Sequence, residues 1–370
     1  MSRRRLVRAS RLLPLILSVA VAGTGAACSG PDAPEATAPQ SPDPIADLRS
    51  PGTVLVLHCD QKSLTLTALS SDDGHQVATI TAARVSDGGP SYLCGDPLTS
   101  GYPSTGMLQQ LLAPDAARLA GWARGPGDEG FLATAYDTRT GAQVGPGLDP
   151  DDFAASPEDS RPVFHDGKLW YVDRDKRLRS RSTEQPPEAA EDHGPAGALK
   201  VIFAGDSPWY GQEVDTTAVH PSGRYAAEFD GFWGNLRIRE RDASRNDVVV
   251  LSEALAAGAE KPPPGSAPLP PCRPNYWLDD ATMVCSSQSQ IWRLTLAPDH
   301  GSVSKAEPLL PDTDRQTYGP VPAPDKRAFA FLAEQGDTTA VYRQALSSGA
   351  QPTKLADIPE FAEAYLIGWS

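Results

Sequence analysis

An all-β ring of six four-stranded antiparallel blades, closed by the C-terminal strand, is the fold the sequence predicts. Three observations lead there. Runs rich in β-branched and aromatic residues alternate in polarity between turns of Pro, Asp, Ser and Gly, which are strand and hairpin signals. The turn that opens each unit recurs at Pro51, Pro114, His165, Pro221, Asp279 and Pro324, 45 to 63 residues apart, a spacing that suits one blade of a β-propeller. The chain ends in Ala364-Tyr-Leu-Ile-Gly-Trp-Ser370, an apolar strand with no hairpin partner beside it in the chain.

In chain order, the first copy is Ser50-Pro-Gly-Thr-Val-Leu-Val-Leu-His-Cys59 with Leu64-Thr-Leu-Thr-Ala-Leu69. The second pairs residues 113–122 with 131–141, and the third 164–172 with 177–182. The fourth and clearest, His220-Pro-Ser-Gly-Arg-Tyr-Ala-Ala-Glu-Phe229, is followed by 235–242. The fifth joins 278–285 to 291–296, and the sixth 323–332 to 340–346. In the fifth copy Asn275-Tyr-Trp277 runs into the turn as an innermost strand. Setting Gly368-Trp-Ser370 before Ser50-Pro-Gly52 makes a similar junction, so the tail is expected to supply the innermost strand of the first blade. Closure of this kind leaves no open sheet edge at the seam.

Before the repeats lies a different kind of segment. The first 27 residues carry Arg3, Arg4, Arg5, Arg8 and Arg11, no acidic residue, and an apolar run over 12–22. That run is too short to cross ~30 Å of hydrocarbon and ends in small residues, so residues 1–27 read as a secretory signal peptide. Gly25-Ala26-Ala27-Cys28 resembles a bacterial lipobox, which implies a diacylglyceryl group on Cys28 and attachment to the extracytoplasmic face of the cell membrane. Each buried methylene of such a lipid contributes ~0.8 kcal/mol, enough in sum for firm anchoring. Ser2-Arg-Arg-Arg-Leu-Val-Arg8 is similar to a twin-arginine export signal and equally fits a plain basic n-region. Residues 28–49, rich in Pro, Ala and acidic groups, read as a disordered tether, leaving 50–370 as the propeller domain. Proline-rich stretches at 184–192 and 261–271 read as surface loops.

Composition removes some functions. With 33 basic against 47 acidic residues the chain lacks the electrostatic footprint of a nucleic-acid binder. Loss of the signal peptide leaves 28 basic residues, and the acidic surplus repels anionic headgroups, so membrane contact falls to the lipid. The preference for Arg over Lys, with abundant Ala, Gly and Pro, suggests a high-GC Gram-positive bacterium.

Four cysteines follow Cys28: Cys59, Cys94, Cys272 and Cys285. An even number in an exported chain points to disulfides, and four allow three connectivities. Neighbour pairing, Cys59 with Cys94 and Cys272 with Cys285, is expected. The repeat alignment puts Cys59 and Cys285 at equivalent second-strand positions, with Cys272 just before its own blade's inner strand and Cys94 just before the next blade's.

Signatures of catalysis do not emerge: there is no G-x-S-x-G, H-E-x-x-H, P-loop or G-x-G-x-x-G. His165 and His220 sit in repeat turns, which suits structural or solvent-facing roles. His58 and Cys59 are strand neighbours whose side chains point to opposite faces, which argues against joint metal ligation. No cofactor is expected. The acidic groups Asp149, Asp151, Asp152 and Asp72, Asp73 read as solvated turns, with calcium binding through their oxygens as the alternative. In Asp230-Gly-Phe-Trp-Gly-Asn235, Phe232 and Trp233 are candidate partner anchors, with packing between blades as the alternative.

The turn residues His220-Pro221-Ser222-Gly223-Arg224 and Ala323-Pro324-Asp325, with Tyr136-Asp137 and Gly141, resemble the TolB-like propeller repeats, relatives of WD-repeat propellers. The resemblance covers roughly residues 50–370. It implies a six-bladed disc whose mouth receives a peptide or partner protein, and it assigns no individual binding residue. The expected function is therefore a membrane-anchored, non-enzymatic binding scaffold for an envelope protein or peptide. The alternative is a propeller enzyme, a glycan hydrolase or lyase or a quinoprotein sugar dehydrogenase, using carboxylates at the central channel. A third reading is a sensor of envelope stress partnered with a membrane kinase.

Overall fold

The computed structural model describes residues 44–59, 63–83, 88–89, 104–124, 131–145, 162–197, 201–210, 217–230, 235–241, 249–250, 272–287, 289–298, 300, 303–347, 349–359 and 363–370. Six four-stranded antiparallel sheets make a six-bladed propeller. From the innermost strand outward, blade one is Glu363–Trp369, Thr53–Cys59, Ser63–Ser70 and Gln76–Ala83. Blade two is Gly88–Gly89, Arg118–Arg124, Phe131–Asp137 and Gln143–Val144. Blade three is Val163–His165, Lys168–Val172, Arg177–Arg181 and Glu191–Pro195. Blade four is Ala218–Val219, Tyr225–Asp230, Asn235–Glu240 and Val249–Val250. Blade five is Arg273–Trp277, Thr282–Ser287, Gln290–Leu296 and Val303–Pro308. Blade six is Gln316–Pro322, Ala328–Gln335, Thr338–Ala345 and Thr353–Ile358.

The ring closes on its own tail. Glu363–Trp369 pairs antiparallel with Thr53–Cys59, Trp369 opposite Val54 and Glu363 opposite Cys59, with a bulge between Leu55 and Val56. Beyond the ladder, Gly52 N–H donates to the Ser370 carbonyl at 2.7 Å and Ser370 N–H to the Thr53 carbonyl at 2.8 Å. The unbroken apolar run Val54–Leu57 follows from blade geometry, because both faces of a blade are covered. Leu55 and Leu57 pack into the core on one side, Val54 and Val56 into the core on the other. Local turn chemistry agrees: Asp166 and Gly167, at φ 47° and 68°, form the two-residue hairpin turn that their sequence favours.

Blade five carries a covalent bond. Cys272, just before the inner strand, is joined by a disulfide to Cys285 in the second strand, with their Cα atoms 5.6 Å apart. The strand that ends in Cys59 is in place, whereas the Cys59 side chain and the whole of Cys94 lie outside the described residues.

Three features depart from the sequence expectations. Residues 44–49, grouped with the tether on composition, contain a short helix, α1 (Pro44–Leu48), whose Ile45 and Leu48 are buried against Leu57, Leu66 and Ile80 of blade one. The tether therefore stops at least six residues earlier. Second, a helix, α2 (Thr105–Leu111), lies within the connection between the first and second strands of blade two. Third, a separate two-stranded hairpin, Val201–Ala204 with Ser207–Tyr210, stands between blades three and four.

The hairpin behaves as a half-blade whose two edges are sealed by side chains. On the inner edge the Gln110 carboxamide of α2 takes both backbone groups of Phe203, donating to its carbonyl at 2.6 Å and accepting its N–H at 2.9 Å. On the outer edge, Arg241 donates to the Pro208 carbonyl at 2.7 Å and Arg239 to the Tyr210 carbonyl at 3.3 Å. A backbone group left unpaired costs ~1–3 kcal/mol, so these contacts offset what a third strand would have supplied. Pro208 has no N–H to offer such a strand.

Candidate functional site

A propeller offers its axis as a ligand site, and here α2 occupies it. The helix touches the inner strands of blades one, three, four, five and six and the inner strand of the half-blade, which places it at the hub. Local sequence explains its start: Ser104 caps the helix, its hydroxyl accepting the Met107 N–H at 3.3 Å. Met107, Leu108 and Leu111 are buried, as a helix enclosed on most sides requires. Polar contacts orient it. Thr105 donates to the Pro320 carbonyl of blade six at 2.7 Å, and Gln110 holds Phe203 from the opposite end of the helix. Among the described residues, α2 brings apolar side chains and neutral amide and hydroxyl groups to the hub.

Two clusters of imidazole and aromatic rings sit at joints between neighbouring sheets. Between blade three and the half-blade, His165 stacks on Phe203 with centroids 4.0 Å apart and planes 5° from parallel. Trp170 meets Phe203 edge-on at 5.0 Å and stacks on His193 at 4.4 Å. Ser180 Oγ lies 2.8 Å from His193 Nε2, a distance that invites a nucleophile reading. Geometry opposes it: Ser180 is 1% exposed, and Glu191 approaches the same Nε2 at 3.9 Å instead of orienting the ring through Nδ1. The cluster is a packing joint.

The second cluster joins blades four and five. His220, in the first turn of blade four, meets Trp277 edge-on at 4.8 Å and lies 6.0 Å from His300, centroid to centroid. Tyr225 packs edge-on against His300 at 4.4 Å. Trp277 Nε1 donates across the joint to the Ala218 carbonyl at 2.9 Å. Burial pushes the His220 imidazole below the usual histidine range, against the opposing pull of Asp280. On the same joint, the Arg273 guanidinium lies 5.0 Å from the Phe229 ring centre, and burial lowers its pKa.

The residues singled out from sequence distribute unevenly. Asp73 is held by His75, whose Nδ1 lies at 2.6 Å, and Asp72 pairs with Arg343 of blade six at 3.4 Å. Among the described residues no group of three or more His, Cys, Asp or Glu is placed to hold a metal ion. Cys28, Phe232, Trp233, Asp149, Asp151 and Asp152 lie outside the described residues. Sequence reasoning missed α2 and the half-blade. For α2 the signal was Ser104 followed by Met107-Leu-Gln-Gln-Leu-Leu112, a cap and an apolar run at helical spacing. For the half-blade it was the likeness of Val201-Ile-Phe-Ala-Gly-Asp206 and Pro208-Trp-Tyr210 to Val163-Phe-His-Asp-Gly167 and Leu169-Trp-Tyr171.

No family model and no curated protein matches the chain. Solved structures do. TolB from Acinetobacter baumannii is 12% identical, covering 82% of this chain and 68% of that one, with a TM-score of 0.34. The Swd1 β-propeller domain of Myceliophteria thermophila is 7% identical, covering 84% and 89%, with a TM-score of 0.35. Dihydro-heme d1 dehydrogenase NirN is 17% identical over 88% of this chain, which spans 47% of that protein's length, with a TM-score of 0.27. Likeness at such distances transfers no residue role.

Proposed function

We propose that the chain is an extracytoplasmic lipoprotein, anchored through Cys28, whose propeller binds an envelope protein or peptide without catalysis. The observation that carries the reading is the filled hub. Met107, Leu108 and Leu111 occupy the axis where a channel enzyme would gather its carboxylates, and Thr105 and Gln110 fasten the helix to opposite walls. Binding then falls to the loops around the ring, whose rigid frame lowers the ordering cost of association. Anchoring rests on the Gly25-Ala26-Ala27-Cys28 sequence.

Two experiments test the proposal. In detergent partition, native protein is expected in the detergent phase and Cys28→Ala in the aqueous phase; equal partition would remove the anchor. Crosslinking in intact cells is expected to trap one partner reproducibly at the ring surface. Turnover of a polysaccharide panel, or dye-coupled oxidation of sugars by the purified protein, would instead establish the enzyme reading.

A further inference from the structure

The cluster between blades four and five holds two histidines that are more than nine-tenths buried, His220 at 3% and His300 at 9% exposure. Their hydrogen bonds dictate their protonation. Ser222 N–H donates to His220 Nδ1 at 3.1 Å, so that nitrogen is an acceptor and the ring proton sits on Nε2. His300 Nε2 lies 2.8 Å from the Asp280 backbone carbonyl, which only accepts, so His300 carries a proton there. Among the described residues His220 Nε2 and His300 Nδ1 are buried without a hydrogen-bond partner. The His220 ring, with Nδ1 accepting, is therefore neutral in this arrangement.

We propose that this joint is an acid-sensitive latch, held by neutral His220 packed against His300 and loosened when His220 takes a second proton. That proton must go to Nδ1, where it ends the Ser222 N–H contact, finds only the Ser222 hydroxyl 2.7 Å away as an acceptor, and puts a charge in a pocket walled by Trp277, Tyr225 and His300. The charged groups facing the ring are few. From blade five come Asp280, whose Oδ1 is 3.6 Å from Nε2, and Asp279. From blade four comes Arg224, over the Tyr225 ring at 5.1 Å and itself paired with Glu240. The Asp280 side chain is 99% exposed, so water screens the one close anion that would welcome an imidazolium. Desolvation outweighs it, in accord with the lowered affinity of His220 for protons.

The sign follows. An unfolded histidine takes up its proton near pH ~6.5. Folded His220 does so only at lower pH, so over that interval the open form binds more protons and acid favours opening. Opening frees Trp277, which is 4% exposed and bonded across the joint to Ala218.

Hydrogen exchange of the full chain, corrected for the intrinsic rate at each pH, tests the latch. Residues 217–230 and 272–287 are expected to exchange several-fold faster at pH 5 than at pH 7.5, while the seam strands Thr53–Cys59 and Ser63–Ser70 stay level. His220→Gln should abolish the difference, and Asp280→Asn should enlarge it by removing the compensating anion. His75→Gln should leave it as in the native protein. An equal acid response in every blade, or a full response in His220→Gln, would overturn the latch. Should His220→Gln fail to fold, an NMR titration of the native histidines decides, since a His220 resonance titrating at or above the ordinary value refutes the inference.

Discussion

Gly74 lies so close to the Leu355 backbone that a Cβ on Gly74 would run into the Leu355 carbonyl, and Gly74 adopts a left-handed φ of +75°. This contact sets the third turn of blade one against the outer strand of blade six. With Asp72 and Arg343 beside it, it closes at the rim the same seam that Glu363–Trp369 closes at the hub.

Gly74→Ala should therefore destabilise the protein by more than about 2 kcal/mol, through backbone strain and displacement of the Leu355 backbone. Gly336 is the comparison, because its φ of +60° is also left-handed but nothing lies within 4 Å of the added methyl. Gly336→Ala should cost about 1 kcal/mol. Denaturant midpoints measure both, and equal costs would show that the seam contact is unimportant.

Deleting residues 365–370 removes most of the inner strand of blade one and both hydrogen bonds that tie Ser370 to Gly52 and Thr53. The expected result is loss of the cooperative melt of the whole ring. A truncated chain that melts like the full one would show that closure contributes little.

Gln110→Leu keeps the bulk of the side chain but strands the Phe203 N–H and carbonyl at the inner edge of the half-blade. A loss of about 2–4 kcal/mol is expected, with the half-blade exchanging amide protons faster than blade six. Unchanged exchange over residues 201–210 would show that the edge finds other partners.

Replacing Cys272 and Cys285 together by Ala opens a bridge between positions 13 residues apart. Unfolding in urea should show a loss of about 2–4 kcal/mol, reproduced by reducing the native protein. Reductant without effect on the native midpoint would contradict this.

Hydrogen bonds from Lys305 and then Arg293 hold the Glu307 carboxyl below the usual range, at 2.6 Å and 2.7 Å. The stability this supplies is present above the unfolded pKa of about 4.3 and is lost as pH falls through it toward the folded value. Glu307→Gln should thus be less stable than the native protein by about 1 kcal/mol at pH 7. The gap should shrink below about pH 4, where the native carboxyl also loses its charge. A gap that widens in acid would reverse the assigned direction.

Much of the architecture was legible because its causes are local. Asp166-Gly167 makes a tight turn by its own backbone preferences, and Val54–Leu57 announces a strand covered on both faces. The tail was legible by elimination, being a strand with no neighbour in sequence. The position of α2 was not, although its cap was. Whether Met107 and Leu111 fill the hub depends on Pro320 and Phe203, partners 215 and 93 residues away from the helix residues they bind.

From the residues alone come the strands, the turns, the number of four-stranded blades and the closing of the ring, because period-two burial and turn preference act between near neighbours in the chain. The folded ring alone decided that a helix would fill the axis, that arginines would finish a half-blade, and that two histidines would meet buried between blades four and five. Those outcomes turn on which surfaces come together across the ring, and distance in space is not written in the spacing of residues along a chain.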